Sequence, residues 1–276
     1  MLHQNQPPTP YLEVNAILKV LLPDVQAILG NQFIGMYLYG SLAYGGFDQD
    51  SDVDFVVVTE DELPEALFLK LQVMHAHIAT LDSWCATQLE GSYIPQHALR
   101  RYDPLRALHL HIDRGRDERL HRMQIEDPRL SHAWWGGWVL LRAALREKGI
   151  RLAGPEPKAL VAPVSPDGLK QTTLAILQGW AVPLLDQPVE LAKRGYQSYT
   201  VLTLCRMLYT LEYGRIASKL VAARWAQERL GNPWTALIER AWDGRHNPQM
   251  NATPEDLNIT LEFIRFTLEH NQTLQS

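Results

Sequence analysis

Tyr39-Gly-Ser-Leu-Ala-Tyr-Gly-Gly-Phe-Asp-Gln-Asp-Ser-Asp-Val-Asp-Phe-Val-Val-Val58 reads as the end of one strand, a tight connection and the start of another. The seven residues Phe33 to Tyr39, FIGMYLY, are apolar and aromatic-rich, and Gly40 stops them, so they predict a buried strand. Val53 to Thr59, VDFVVVT, predicts a second. The glycines and polar side chains of LAYGGFDQDS between them suit a compact turn or a short helical excursion.

Side chains two apart on a strand share a face, so Asp52 and Asp54 can converge on shared metal ions. Magnesium takes oxygen ligands and commonly binds through one or two carboxylates completed by substrate phosphates. Two aspartates therefore suit a nucleoside triphosphate carried on magnesium. Gly40 lets backbone approach a phosphate with no side chain between, and Ser41 adds an N–H and a hydroxyl. Gly45 and Gly46 would keep that cradle open. A Gly-Ser pair alone marks a turn, and an Asp-x-Asp alone marks a solvated loop. Joined to two apolar strands in this order, they describe a site.

Working outward, Tyr11 to Leu29 predicts a helix that Pro23 should kink or split, and Pro64 to Leu81 has helical spacing at Leu67, Leu71, Met74 and Ile78. Residues 84–94 read as a third strand and Leu108 to Ile112 as a fourth; Ser131 to Lys148 reads as a buried helix. The four prolines of AGPEPKALVAPVSPDG then disfavour a regular helix, and this segment is taken as a linker. Helical patterns follow at about Leu169 to Leu185, Tyr196 to Tyr213, Ala217 to Leu230, Trp234 to Trp242 and Pro254 to His270. The fold class expected is α/β plus all-α. Residues 1–152 would form a small mixed sheet with flanking helices, 153–168 the linker, and 169–276 a helical bundle that closes the cleft.

Composition narrows the partners. A formal net charge of −5 over 276 residues supplies no basic surface for nucleic acid or an anionic membrane, and a small cationic, hydroxylated substrate suits it better. Cys85 and Cys205 make neither a CxxC pair nor a disulfide framework, and read as buried apolar groups. The N-terminus lacks the basic-then-apolar order of a signal peptide, and no apolar run approaches membrane-spanning length. A soluble cytoplasmic protein is expected. His75 and His77 fall on different helix faces and make a poor metal pair, while His109 and His111 could share a strand face without a third ligand of matching spacing. Trp134, Trp135 and Trp138 read as packing, and Asp113 to Arg122, DRGRDERLHR, as a solvated face or loop.

Gly40-Ser41, nine residues, then Ser51-Asp52-Val53-Asp54 leading into an apolar strand resembles the signature of the polymerase-β-type nucleotidyltransferase superfamily. The segment Tyr199 to Leu230, YTVLTLCRMLYTLEYGRIASKLVAARWAQERL, is similar to the helical domain of aminoglycoside adenylyltransferases that modify streptomycin and spectinomycin. The resemblance implies a third metal-site carboxylate ahead of a strand, and Glu90 in Gln88-Leu89-Glu90 fills that slot as ligand and general base. It also implies that Arg206 and Lys219 bind the triphosphate. The activity implied is transfer of AMP from ATP, with two Mg2+ ions, onto an aminoglycoside hydroxyl. In one respect the chain departs from the pattern. The acceptor-binding segment reads DQPVELAKRGYQSYT, where Asp186 and Glu190 stand near Lys193 and Arg194 and neither acid matches residue by residue; Trp180 and Tyr199 are possible platforms.

Two other readings compete. The same reaction could act on another acceptor, including a protein hydroxyl, although small antitoxin-type nucleotidyltransferases lack a long helical domain. A non-catalytic nucleotide-binding regulator is the other, and intact Asp52, Asp54 and Glu90 oppose it.

Overall fold

Residues 7–101, 108–113, 120–124 and 138–273 are described by a computed structural model of the chain. They form two compact units. The first holds the described residues up to Gln124 together with Arg142–Pro163; the second holds Trp138–Leu141 and those from Val164 onward.

The first unit opens with α1 (Leu12–Leu29), which runs unbroken through Pro23. A proline removes one intrahelical N–H bond, and the fully buried Leu21 and Val25 on either side hold the turn against the core. Next come β1 (Phe33–Leu38), α2 (Gly40–Tyr44), β2 (Val53–Thr59) and α3 (Glu65–Ile78). They are followed by β3 (Leu89–Pro95), α4 (Gln96–Arg100), β4 (Leu108–Ile112), β5 (Leu120–Gln124), α5 (Trp138–Lys148), β6 (Ile150–Ala153) and α6 (Pro157–Leu160). The strands form one sheet in the order β5-β4-β3-β2-β1-β6. Only the β2–β3 pair is parallel, with α3 as its crossover; the other pairs are antiparallel, so the sheet is mixed as expected.

Alternation divides this sheet into two faces. On one, Met36, Leu38, Val53, Phe55, Val57, Leu89 and Tyr93 join Val14, Leu18 and Leu21 of α1 and Leu71, Met74 and Ile78 of α3 in a continuous apolar core. Each such side chain contributes roughly 1.5–3 kcal/mol when fully buried. The out-of-phase residues Tyr37, Asp54, Val56, Glu90 and Ser92 lie on the other face.

Several elements differ from the sequence reading. The stretch 84–94 is not one strand: Trp84–Thr87 forms a 3₁₀ turn, and the strand begins only at Leu89. Leu120 to Arg122, read as solvated, belong to β5; Leu120 is buried, and Arg122 reaches Glu65 at 2.7 Å over the Phe68 ring. Residues 114–119 and 131–137, with most of the tryptophan cluster, lie outside the described residues. A strand that the sequence reading does not contain, Ile150–Ala153, pairs with β1 at the sheet edge. Of the segment read as linker, Pro157–Leu160 is helical, and residues through Pro163 group with the first unit. Arg142 ties this region together by donating to the carbonyls of Leu99, Arg100 and Ala162.

The second unit is helical: α7 (Pro166–Asp186), α8 (Arg194–Tyr213), α9 (Lys219–Leu230), α10 (Trp234–Gly244) and α11 (Pro254–Thr273). Ser165 caps α7 through Gly168 N, and Ser218 caps α9 through Val221 N. Gly214 ends α8 in the left-handed conformation (φ 62°). Helix α8 is central, packing against α7, α9, α10 and α11. Among the described residues, no helix is long and apolar enough to cross a membrane.

Candidate active site

The site is built where β1 ends and β2 begins. One step past the Leu38–Phe55 pair, Tyr39 N–H donates to Asp54 O at 3.1 Å. On the other side of β2, Asp54 is in register with Glu90 of the parallel β3. Tyr39, Asp54 and Glu90 thus stand in a row across three strands. Neighbours in register share a face about 5 Å apart, so Asp54 and Glu90 are brought together. Asp54 is buried, whereas Asp52, one residue ahead of β2, and Glu90 are partly exposed.

Gly40 meets this row from α2. Its φ is +59°, and an added Cβ would collide with the Asp54 carboxylate, so only glycine fits on both counts. The acid group therefore lies against the backbone at the start of α2. Ser41 Oγ is buried beside it with no hydrogen-bond partner among the described residues. Burial of an unmatched hydroxyl is costly, and an incoming phosphate oxygen would satisfy it. Gly45 and Gly46 both adopt positive φ with open space around them.

The loop that delivers Asp52 is pinned at several points. Ser51 Oγ donates to Asp48 Oδ1 at 2.7 Å and Ser51 N–H to Asp48 O at 3.0 Å, while Val53 N–H reaches Gln88 O at 2.8 Å. Phe47 packs on Tyr11, whose hydroxyl donates to Phe47 O at 3.1 Å. The Tyr39 phenol reports on all three acids: burial pushes its pKa well above the ordinary value, and the charges of Asp54, Glu90 and Asp52, in that order, push it further.

A divalent cation with a triphosphate fits these residues in one specific sense. Among the described residues, no group of three His, Cys, Asp or Glu side chains is gathered to hold an ion unaided. Two aspartates next to the glycine backbone at the start of α2 and an unsatisfied hydroxyl match the case in which substrate oxygens complete the shell.

Farther along the same face, Ser92 Oγ lies 2.8 Å from His111 Nδ1, and His111 Nε2 lies 3.1 Å from Asp113 Oδ1. His121, opposite His111 on β5, approaches Asp113 at 3.7 Å. Neither Ser92 nor His121 was singled out by the sequence, although the step of two from Glu90 flags Ser92. His75 is buried against Phe55 and Tyr93, and burial lowers its pKa to about 3, so it is a core histidine. Both cysteines are free and buried.

Arg206 and Lys219 belong to the second unit. Arg206 is buried in α8, and its Nε donates to Ala217 O at 3.3 Å, bracing the loop that leads to α9. Lys219 is the first residue of α9, with Nζ 5.9 Å from the centre of the Tyr199 ring. Trp180 is buried edge-on to Tyr199. Tyr196 has its pKa pushed up to about 12, by burial first and with a smaller upward contribution from its hydrogen bond to Glu190.

Comparison with known proteins agrees across both units. A family model described as nucleotidyltransferase domain matches residues 19–113, and one described as aminoglycoside adenylyltransferase, C-terminal domain, matches residues 161–270. Spectinomycin 9-adenylyltransferase of Staphylococcus aureus is 28% identical over 229 residues, covering 81% of this chain and 82% of that one. Aminoglycoside (3'') (9) adenylyltransferase of Escherichia coli is 25% identical over 267 residues, covering 92% and 94%. The crystal structure of spectinomycin adenyltransferase AAD(9) from Enterococcus faecialis, with ATP and spectinomycin, shares the fold at a TM-score of 0.64 and 18% identity, over 92% of this chain and 98% of that one.

Proposed function

From a chain that belongs to the nucleotidyltransferase superfamily and is aminoglycoside adenylyltransferase-like, we propose an enzyme that moves AMP from ATP onto a hydroxyl of an aminoglycoside-like small molecule. The observation that carries this reading is the pairing of Asp54 with Glu90 in register, with Gly40 packed on the Asp54 carboxylate.

Asp52 and Asp54 would hold two magnesium ions, with Glu90 as the third carboxylate. Magnesium, when bound, neutralises charge on the triphosphate oxygens and so favours in-line attack at the α-phosphorus. Glu90 removes the proton of the attacking hydroxyl. The backbone at Gly40 and the N–H and hydroxyl of Ser41 orient the phosphates. Lys219 and Arg206 neutralise the departing pyrophosphate. Arg206 also braces the loop before α9, so Lys219 is the cleaner probe of this role. The chain's negative balance suits a cationic acceptor.

Calorimetry with ATP, GTP and CTP in magnesium, followed by pyrophosphate release on adding spectinomycin, streptomycin or kanamycin, tests the reading. ATP binding with drug-dependent release is expected. ATP binding without release under any acceptor would favour the regulator. Glu90→Gln should lower kcat by about 10²–10⁴-fold while ATP affinity holds. Lys219→Ala should weaken ATP binding about tenfold, the worth of one charge-assisted hydrogen bond; unchanged affinity returns that lysine to the surface.

A further inference from the structure

The outer side of α3 carries a second apolar stripe that the core does not use. Leu67, Leu71, Met74 and Ile78 turn inward, whereas Ala66, Leu69, Val73 and Ala76 recur at helical spacing on the exposed side. Leu69 is 49% and Val73 71% exposed, one turn apart on that stripe, so they make a patch and not scattered surface residues. Beside them an open groove runs between α1 and α3, with Asp24, Ala27 and Ile28 on one wall and Leu69, Lys70 and Val73 on the other. Asp24 and Lys70 carry opposite charges on the two walls, yet neither side chain forms a hydrogen bond or ion pair among the described residues.

We propose that this groove is the contact between two copies of the chain related by a twofold axis, with Lys70 of each copy set against the partner's Asp24. A twofold contact is self-complementary: where one residue meets a second, the second also meets the first. One anion and one cation on opposite walls therefore supply two ion pairs across the axis. The spacing of Ala66, Leu69, Val73 and Ala76 suits two α3 helices packed seam to seam. A strongly acidic or basic partner would call for a surplus of one charge, whereas Asp24 and Lys70 balance here. The contact lies on the helical side of the sheet, and Asp54 and Glu90 lie on the other face.

Sedimentation velocity of the full-length protein over a range of concentrations is the test. Wild type should pass from monomer to dimer as concentration rises. Val73→Lys enters the contact twice and should weaken association about a hundredfold, with melting unchanged. Asp24→Lys and Lys70→Asp each set like charges against one another, and each should weaken association about tenfold. Mixed in equal amounts, these two variants should associate again as a heterodimer, because every charge then faces its opposite. A wild type that stays monomeric throughout overturns the proposal, and so does a dimer that Val73→Lys leaves intact. Should Val73→Lys disturb the fold, the charge variants decide: a mixture no more associated than either variant alone overturns the twofold pairing.

Discussion

Phe55 and Asp54 are consecutive residues of one strand and answer to opposite demands. Phe55 points into a closed apolar core between the sheet and helices α1 and α3, stacked near His75 and edge-on to Tyr93. Asp54 points the other way, against the bare backbone of Gly40 and in line with Glu90. The difference teaches that a period of two can put stability and chemistry on the same few residues without mixing them. Changes on one face should register as lost activity, and changes on the other as lost stability.

The largest separation should come from Asp54→Asn. Nearly isosteric, it keeps β2 but removes a charge on which metal binding is proposed to depend. We expect kcat to fall on the order of 10⁴-fold, about 5 kcal/mol of transition-state stabilisation, with a circular dichroism spectrum like that of wild type. Retained activity would place the metal elsewhere.

On the core face the probe is His75. Its folded pKa of about 3 lies below the ordinary value, so between about pH 6.5 and 3 the unfolded chain takes up a proton that the native state refuses. Stability from this group is therefore complete above pH 6.5 and lost as pH falls to about 3, by of order 5 kcal/mol. His75→Leu should remove that acid sensitivity. It should also cost about 1–2 kcal/mol at pH 7, because the Tyr93 hydroxyl loses its 2.7 Å partner. Melting curves of the two proteins against pH should then cross; parallel curves would mean that His75 takes up its proton normally in the fold.

The smallest loss of activity, and the most telling test of the boundary between the faces, is expected of Gly40→Ala. A left-handed alanine costs about 1–2 kcal/mol, and its Cβ would also displace the Asp54 carboxylate. Activity measured well below the melting temperature should fall by more than the unfolded fraction accounts for. A loss that tracks unfolding alone would mean that the carboxylate can move at no cost.

What could be read in advance follows from where each signal resides. VDFVVVT is a run of seven residues that matches β2 end to end, because its apolar content is its own. Ile150–Ala153 has only four residues, and its strand character comes from pairing with β1, which no local pattern records. β5 was hidden by its charges, since Arg122 is accommodated beside α3 by laying its guanidinium over the Phe68 ring while pairing with Glu65. At the site, Gly40, Ser41, Asp52 and Asp54 are close in sequence and could be grouped by spacing. Glu90 needed the family resemblance, and its alignment with Asp54 emerged only from the β2–β3 register. Tyr39, Ser92 and His111 were missed as neighbours of that row because sheet pairing, and not sequence distance, brings them there.

The late arrival of β6 bears on how the chain is made. Its partner β1 is synthesised about a hundred residues earlier, so this pairing carries a large loop-closure cost. Until Ile150–Ala153 leaves the ribosome, the outer edge of β1 offers unsatisfied N–H and C=O groups to any passing strand. A nascent chain stalled before that point would be the form most exposed to chaperones and to aggregation.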